Sequence, residues 1–396
     1  MANDVTADVI IVGGGVMGCA AAYQLARDGQ RVLLIEQFGI VHTNGSSHGP
    51  SRIIRLAYDT ADYVELARAA YQLWHAAEAE SDRQLLRTIG GLDIGVPGAL
   101  ALDDIRATYQ ATGVPFETLD HAEIVRRFPK FNLPAATIGY YQPDYGLLAA
   151  DQCVATLADL ARRHGAQIHE YETALAVTPL QGGVLVRTDR GSYSADRLIV
   201  SAGSWIGPLL APLGINLPLT ITKELIGYFQ PPDPEAYMPE RFPLFIHRFP
   251  NTTTLGSGFP IFGHAGFKMI YDRTGPVVTP DDPDREPAPG QLDLLLDYAA
   301  SILPALGRQV IETVTCRYTM VPDEHFIIDR HPEYPQIVIA SPCSGHGFKF
   351  GSVIGRILAD LAIHGRTTYP ISRFRLDRMF EPTHGGVDHG DSVSTP

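Results

Sequence analysis

The sequence predicts an α/β fold joined to a β-rich region. Three observations carry that expectation. A short apolar run, Val9-Ile10-Ile11-Val12, ends in glycines and leads through an amphipathic stretch to a second apolar run. Leu219 to Tyr271 is rich in β-branched and aromatic residues, Gly and Pro, which suits antiparallel strands. Two more apolar runs, Phe326 to Asp329 and Ile337 to Ala340, precede a helical pattern over Ser352 to His364.

Val9 to Val12 has no polar alternation, as expected of a strand buried on both faces. The spacing predicts a helix over Val16 to Arg27, stopped by Gly29. Arg31 to Glu36 then reads as a strand, completing a βαβ unit. Asp62 to Glu80 carries Leu66, Ala67, Ala70, Leu73 and Trp74 at helical spacing. From Leu86 to Tyr141, short strands alternate with acidic helical pieces, with a strand and turn over Gly90 to Gly95. Ala150 to Arg163 reads as a helix, and Gln167 to Leu175, Gly183 to Arg187 and Leu198 to Val200 as strands. Pro276 to Pro289 is proline-rich and acidic, an exposed loop. Gln291 to Leu303 is helical, and 381–396 lacks apolar periodicity, which predicts a disordered tail holding His384 and His389.

A chain of 396 residues is long enough for two packed domains. It holds 31 basic and 44 acidic residues, a net charge of −13 that argues against nucleic acid or an anionic membrane as partner. Cys19, Cys153, Cys316 and Cys343 form no Cys-x-x-Cys pair, so neither a zinc site nor a redox dithiol is expected. No His-Glu-x-x-His metal motif or Gly-x-Ser-x-Gly elbow occurs. Met1 to Ala7 lacks the features of a signal peptide, and Val9 to Tyr23 is too short and glycine-rich to span a membrane. These features point to a cytoplasmic location.

Gly13-Gly14-Gly15-Val16-Met17-Gly18 matches G-x-G-x-x-G. Gly13 makes the tight turn, Gly15 lets backbone approach a pyrophosphate, and Gly18 lets helix and strand pack closely. The helix start at Val16 and Met17 offers N–H groups to phosphate. Glu36, at the end of the second strand, suits ribose hydroxyls. The motif does not separate FAD from NAD. Two later features favour FAD: the apolar strand ending in Ser201-Ala202-Gly203, and the turn Ser344-Gly345-His346-Gly347 before the last helix.

At these residues the chain resembles the monomeric sarcosine oxidase and N-methyltryptophan oxidase family, FAD-dependent amine oxidases of the D-amino-acid-oxidase-like group. The resemblance rests on His42 to Gly49 running on to Arg52-Ile53-Ile54-Arg55, on Ile199 to Trp205, and on Cys316-Arg317-Tyr318-Thr319. Asp323 to Asp329 and Ser344 to Phe350 complete it. It implies a discontinuous Rossmann-type FAD-binding domain with an inserted antiparallel-sheet substrate domain. Residues 1–85, 148–218 and 318–380 would form the first, and 86–147 and 219–317 the second. It implies a monomer that takes a small amino acid with a free carboxylate and O2. Hydride passes to FAD, the imine is hydrolysed, and O2 is reduced to H2O2.

The resemblance also implies roles. Cys316 would tether the flavin 8α carbon through a thioether; otherwise it is a small buried cysteine. Arg55 and Lys349 would clamp the substrate carboxylate, unless Arg55 pairs with Asp62 on a solvated face. Lys268 would favour superoxide formation by its charge, or is an ordinary strand lysine. His48 and Arg52 would lie near the flavin face as electrostatic support, with Arg52 assisting attachment. Ser46, Ala202, Gly203, Trp205, Gly345, Gly347 and Phe348 would contact the cofactor, and Tyr318 the reacting substrate.

The chain departs from the family at two places. Asp272 stands where sarcosine oxidase has a histidine, four residues past Lys268. Leu255-Gly256-Ser257 replaces the family's paired tyrosines before Gly258-Phe259-Pro260. Asp272 can bind a second amino group or ring nitrogen, act as a base, or be a simple turn residue. Both changes favour a larger N-methyl or a cyclic, pipecolate-type amino acid over sarcosine. A flavin dehydrogenase with another electron acceptor, and a nucleotide-binding protein without catalysis, are the competing readings.

Overall fold

The computed structural model describes residues 7–341 and 344–380. The expected tail, and Cys343, lie outside them.

The first βαβ unit builds the centre of an eight-stranded sheet. Ala7–Val12 runs parallel to Val32–Ile35 on one side and to Ser192–Val200 on the other. Val9 and Ile11 face the helices Val16–Arg27, Ala150–Arg163 and Gly351–His364, while Ile10 and Val12 join the core on the opposite face. Burial on both faces explains the uninterrupted apolar run. Gln167–His169 and Ile337–Ser341 extend the parallel part, and Ile327–Arg330 adds an antiparallel edge. Ala174–Leu180 and Gly183–Thr188 add an antiparallel hairpin. The single strand expected over Gln167 to Leu175 is two, because Tyr171 turns the chain at φ 57° between them.

A second eight-stranded sheet follows the order Val310–Met320, Thr220–Phe229, Phe267–Tyr271, Leu255–Phe259, Leu244–Arg248, Gly91–Gly95, Ile138–Gln142, Glu117–Asp120. It is antiparallel except at one joint, where Leu244–Arg248 pairs parallel to Gly91–Gly95. The inserted sheet is therefore mixed, not purely antiparallel. The joint lies where strands from two distant segments of chain meet. The strand Val310–Met320 also runs unbroken across the boundary expected at 317.

One face of this sheet packs against the helix Gln291–Ile302 through Leu225, Phe229, Phe267, Met269, Leu295 and Tyr298. The other face looks toward the first sheet. A small third sheet, Arg52–Ile54, Gly146–Leu148 and Leu86–Thr88, was not apparent from the sequence. It fixes Arg52 and the following Arg55. No helix of the described residues is long and apolar enough to cross a membrane.

Candidate active site

Strand periodicity builds the floor of the site. Side chains two residues apart on a strand share a face. Glu224 and Ile226, then Lys268, Ile270 and Asp272, then Leu255, Ser257 and Phe259, then Ile246 and Arg248, then Cys316 and Tyr318 all line one cavity of about 770 Å³. The register aligns Ile226, Ile270, Ser257 and Ile246 in a single row. Glu224 stands directly opposite Cys316.

The cavity continues over the glycine turn of the first sheet, past Gly13, Gly15, Val16, Met17 and Glu36. Gly13 has φ 106°, and a Cβ there would lie 2.5 Å from the Ser201 carbonyl oxygen. Any side chain at Gly18 would meet the Gly13 carbonyl at 1.8 Å, so the helix can rest on the turn only with glycine there. Gly18 shapes the cradle without lining it. Glu36 is buried and accepts from the Gly14 N–H at 2.6 Å and the Phe38 N–H at 2.8 Å. The Val16 N–H already donates to Ser47 Oγ at 3.1 Å.

Ser46, Ala202, Gly203, Trp205, Gly345, Gly347 and Phe348 line the same cavity. Gly345, at φ 75°, lies flat against Tyr318, where a Cβ would come within 2.8 Å of the ring. Ser46 Oγ donates to the Arg317 carbonyl at 2.6 Å. The loop of residues 276–289 is largely exposed, as expected, yet tied down. Trp205 Nε1 donates to Asp281 at 2.6 Å, Lys223 pairs with Asp284 at 2.7 Å, and Arg285 donates to Asn44 at 2.9 Å.

Arg52 donates to the carbonyls of Ser51 and Ser46 at 3.0 and 3.2 Å and lies 3.9 Å from Cys316 Sγ. Burial pushes the Cys316 thiol pKa up, while Arg52 and Lys268 oppose that shift. Lys268 is buried, donates to the Ser51 carbonyl at 2.8 Å and sits 4.2 Å from the centre of the Phe259 ring. Burial and Arg52 hold its pKa well below the usual lysine value. His48 does not line the cavity. Burial, then Arg52, depress its pKa to about 3, so it is a neutral ring and supplies no charge.

Arg55 and Lys349 meet at Tyr58. The Arg55 guanidinium lies 4.5 Å over the Tyr58 ring. Lys349 donates to Tyr58 Oη at 3.0 Å and to the His346 carbonyl at 2.7 Å. His346 Nε2 lies 3.1 Å from the Glu324 carbonyl, so it carries the proton. His346 Nδ1 then accepts from Tyr58 O–H at 3.3 Å, leaving Tyr58 oxygen to accept from Lys349. Arg55 does not pair with Asp62, which lies 3.4 Å from Arg373. Among the described residues neither Arg55 nor Lys349 has a carboxylate partner, and Arg55 Nη1 is buried without any hydrogen bond.

Sequence reasoning missed Tyr58, Glu224, Asp93 and Arg248. A lone arginine in the apolar run Phe245-Ile246-His247-Arg248-Phe249 was the available signal. Arg248 is buried and donates Nε to Asp93 at 3.0 Å. Glu224 accepts from the Thr274 and Gly275 N–H groups at 3.2 and 3.3 Å, and its Oε1 is buried without a partner.

Asp272 accepts from the Leu255 N–H at 2.8 Å. Burial raises its carboxyl pKa to about 7, against the pull of Arg273. Between pH 4 and 7 the folded protein therefore holds a proton that the unfolded chain has released. The stability contributed at this position falls as pH rises through that window and stays low above it. Asp272→Asn keeps an oxygen for Leu255 and removes the titration. Its melting temperature should exceed that of the parent by a few degrees at pH 8 and approach it at pH 4. A difference that does not change with pH would show that Asp272 titrates normally.

A glycine cradle over a parallel sheet, opening onto a sheet floor with buried basic groups, is the arrangement of a dinucleotide-dependent oxidoreductase. The residues fit FAD: backbone approaches closely at Gly13 and Gly15, and the cavity extends from there to unpaired cations. The chain belongs to the FAD dependent oxidoreductase family, whose model matches residues 8–361, and within it to the sarcosine-oxidase-like group of amino acid oxidases. It is 36% identical over 379 residues to the monomeric sarcosine oxidase of Bacillus sp. strain B-0618, covering 94% of this chain and 96% of that one. It is 31% identical to N-methyl-L-tryptophan oxidase of Yersinia pestis, covering 94% and 99%. A solved structure of NikD, an unusual amino acid oxidase essential for nikkomycin biosynthesis, matches with TM-score 0.82 at 29% identity, covering 93% of this chain and 97% of NikD.

Proposed function

We propose that the chain oxidises the C–N bond of a secondary amino acid, N-methyl or cyclic, with O2 as acceptor and H2O2 as product. The observation that carries this reading is the pair Arg55 and Lys349, buried basic groups with no carboxylate partner among the described residues; burial and Arg55 hold the Lys349 pKa well below the usual lysine value, which a bound carboxylate would oppose. A substrate carboxylate would satisfy both, Arg55 by its fork and Lys349 by its point charge. The sarcosine and N-methyl-L-tryptophan oxidases among its relatives are named for N-methyl amino acids.

FAD, when bound, supplies the electron acceptor. Gly13, Gly15, Val16, Met17, Glu36, Ser46, Ala202, Gly203, Gly345, Gly347 and Phe348 would hold it, and Cys316 would tether it covalently. Trp205, held by Asp281, closes the adjoining wall. Tyr58 and His346 fix the direction of Lys349, so the substrate's α-carbon is oriented from its carboxylate. Lys268 presents a fixed donor to the reduction of O2, and Arg52 steadies the Cys316 region. Tyr318 and Asp272 face the amine, where Asp272 in its ionised form can take a proton. Cys19, Cys153 and Cys316 are unpaired thiols, which supports a reducing, cytoplasmic setting. We read the protein as a monomer.

Asp272 favours larger N-methyl or pipecolate-type substrates over sarcosine. Peroxide release in air-saturated buffer, measured over sarcosine, bulkier N-methyl amino acids and pipecolate, tests this. We expect at least one bulkier substrate to exceed sarcosine tenfold in kcat/KM. Sarcosine ranking first would overturn the substrate assignment. Dye reduction without peroxide would make the chain a dehydrogenase.

A further inference from the structure

Beyond the carboxylate clamp, the cavity extends into a lobe that the clamp does not explain. Leu100 and Ile105 at the start of the helix Leu102–Thr112 form one wall. Ile246 and Leu255 on the sheet floor form the other, with Thr253 at the rim. Leu100, Ile105, Ile246 and Leu255 are aliphatic, and Arg248 stands opposite Leu255 on the floor.

Arg248 is held from behind. The parallel joint of the second sheet sets Asp93 opposite Ile246, on the same face as Arg248. Asp93 is fully buried; its Oδ1 accepts from Arg248 Nε at 3.0 Å, and Arg248 Nη2 lies at the same distance. Its Oδ2 accepts from Tyr145 O–H. Both carboxylate oxygens are occupied, and the guanidinium is locked edge-on. Nη1 of Arg248 has no hydrogen-bond partner among the described residues and is not sealed from the cavity. A buried guanidinium with one free, oriented edge is a built acceptor site.

Charge points the same way. Arg55, Lys349 and Arg248 surround Tyr58: the first two touch it, and Arg248 is close enough to oppose the upward push of burial on its phenol pKa. Asp93 is the buried carboxylate among them, and Asp59 lies on the exposed rim. Across the floor, Glu224 is bonded to Thr274 and Gly275, and Glu324 to Arg273. Three buried basic groups thus face one buried anion, and burial with Arg55 holds the Lys349 pKa well below the usual lysine value.

We propose that Arg248 is a specificity-determining residue that receives a carboxylate at the end of the substrate's side chain. The substrate is then a secondary amino acid of the dicarboxylic class, with an aliphatic stem lying between Leu100, Ile105, Ile246 and Leu255. This assignment rests on the oxidase reading above but is separable from it.

The test compares ligands that differ only in the distal group. Calorimetric titration of the flavin-loaded protein with glutarate and with butyrate should show glutarate binding tighter by on the order of 10- to 100-fold. N-methyl-L-glutamate should exceed N-methyl-L-norvaline in kcat/KM by a similar factor. Arg248→Met combined with Asp93→Asn, which removes both charges of the Arg248–Asp93 pair, should bring both ratios to within about threefold. Arg248→Lys should retain part of the preference. Equal or absent binding of the two acids by the parent would overturn the assignment, as would a preference that survives the double variant. Glutarate selectivity without oxidation of any amine would instead defeat the oxidase reading and leave Arg248 as an anion site.

Discussion

Replacing Cys316 with alanine will free the flavin. In the parent protein the yellow chromophore should stay with the pellet after acid precipitation; in Cys316→Ala it should pass wholly into the supernatant. The thiol sits on the sheet floor facing the cavity, 3.9 Å from Arg52 Nη2. Burial disfavours its ionisation, and Arg52 and Lys268 counteract that. A thiolate there would be the nucleophile for the proposed tether, with the flavin accepting the electron pair as C–S replaces C–H. Cys19 and Cys153 cannot substitute, since both are packed in the core of the first sheet and burial raises both thiols. Free loss of flavin from the parent would refute the tether. Retention by Cys316→Ala would move the bond to another residue.

Arg55→Met should lower kcat/KM for carboxylate-bearing substrates by roughly 10²- to 10⁴-fold, the kinetic equivalent of about 3–5 kcal/mol for breaking a buried ion pair. The Arg55 guanidinium has no hydrogen-bonded carboxylate among the described residues until one arrives, and methionine keeps the volume. An amine substrate lacking the carboxylate should be nearly indifferent to the change. A loss below tenfold on the acids would place Arg55 in a structural role.

Where local pattern decides structure, the sequence was readable. Val16–Arg27 and Ala150–Arg163 begin and end as their apolar spacing and flanking residues predict. The glycine turn carries its own geometric reason in Gly13 and Gly18. What escaped detection depends on which strands pair. Glu224 becomes a neighbour of Cys316, and Asp93 a support for Arg248, only through register set between segments far apart in the chain. The three-residue strand Arg52–Ile54 is too short to show a period. His48 was placed near the flavin by resemblance, yet its protonation follows from burial beside Arg52, which no motif encodes.

The pleat of Phe267–Tyr271 gives the site and the core alternate residues of one strand. Lys268 and Ile270 face the cavity, and Phe267 and Met269 face the helix behind. A slip of one residue would drive an amine into a hydrocarbon layer and turn a phenylalanine toward the cofactor. This strand therefore admits no loosely assembled yet partly active form. Turnover would report correct registration of the sheet, and misfolded molecules in a preparation would be silent.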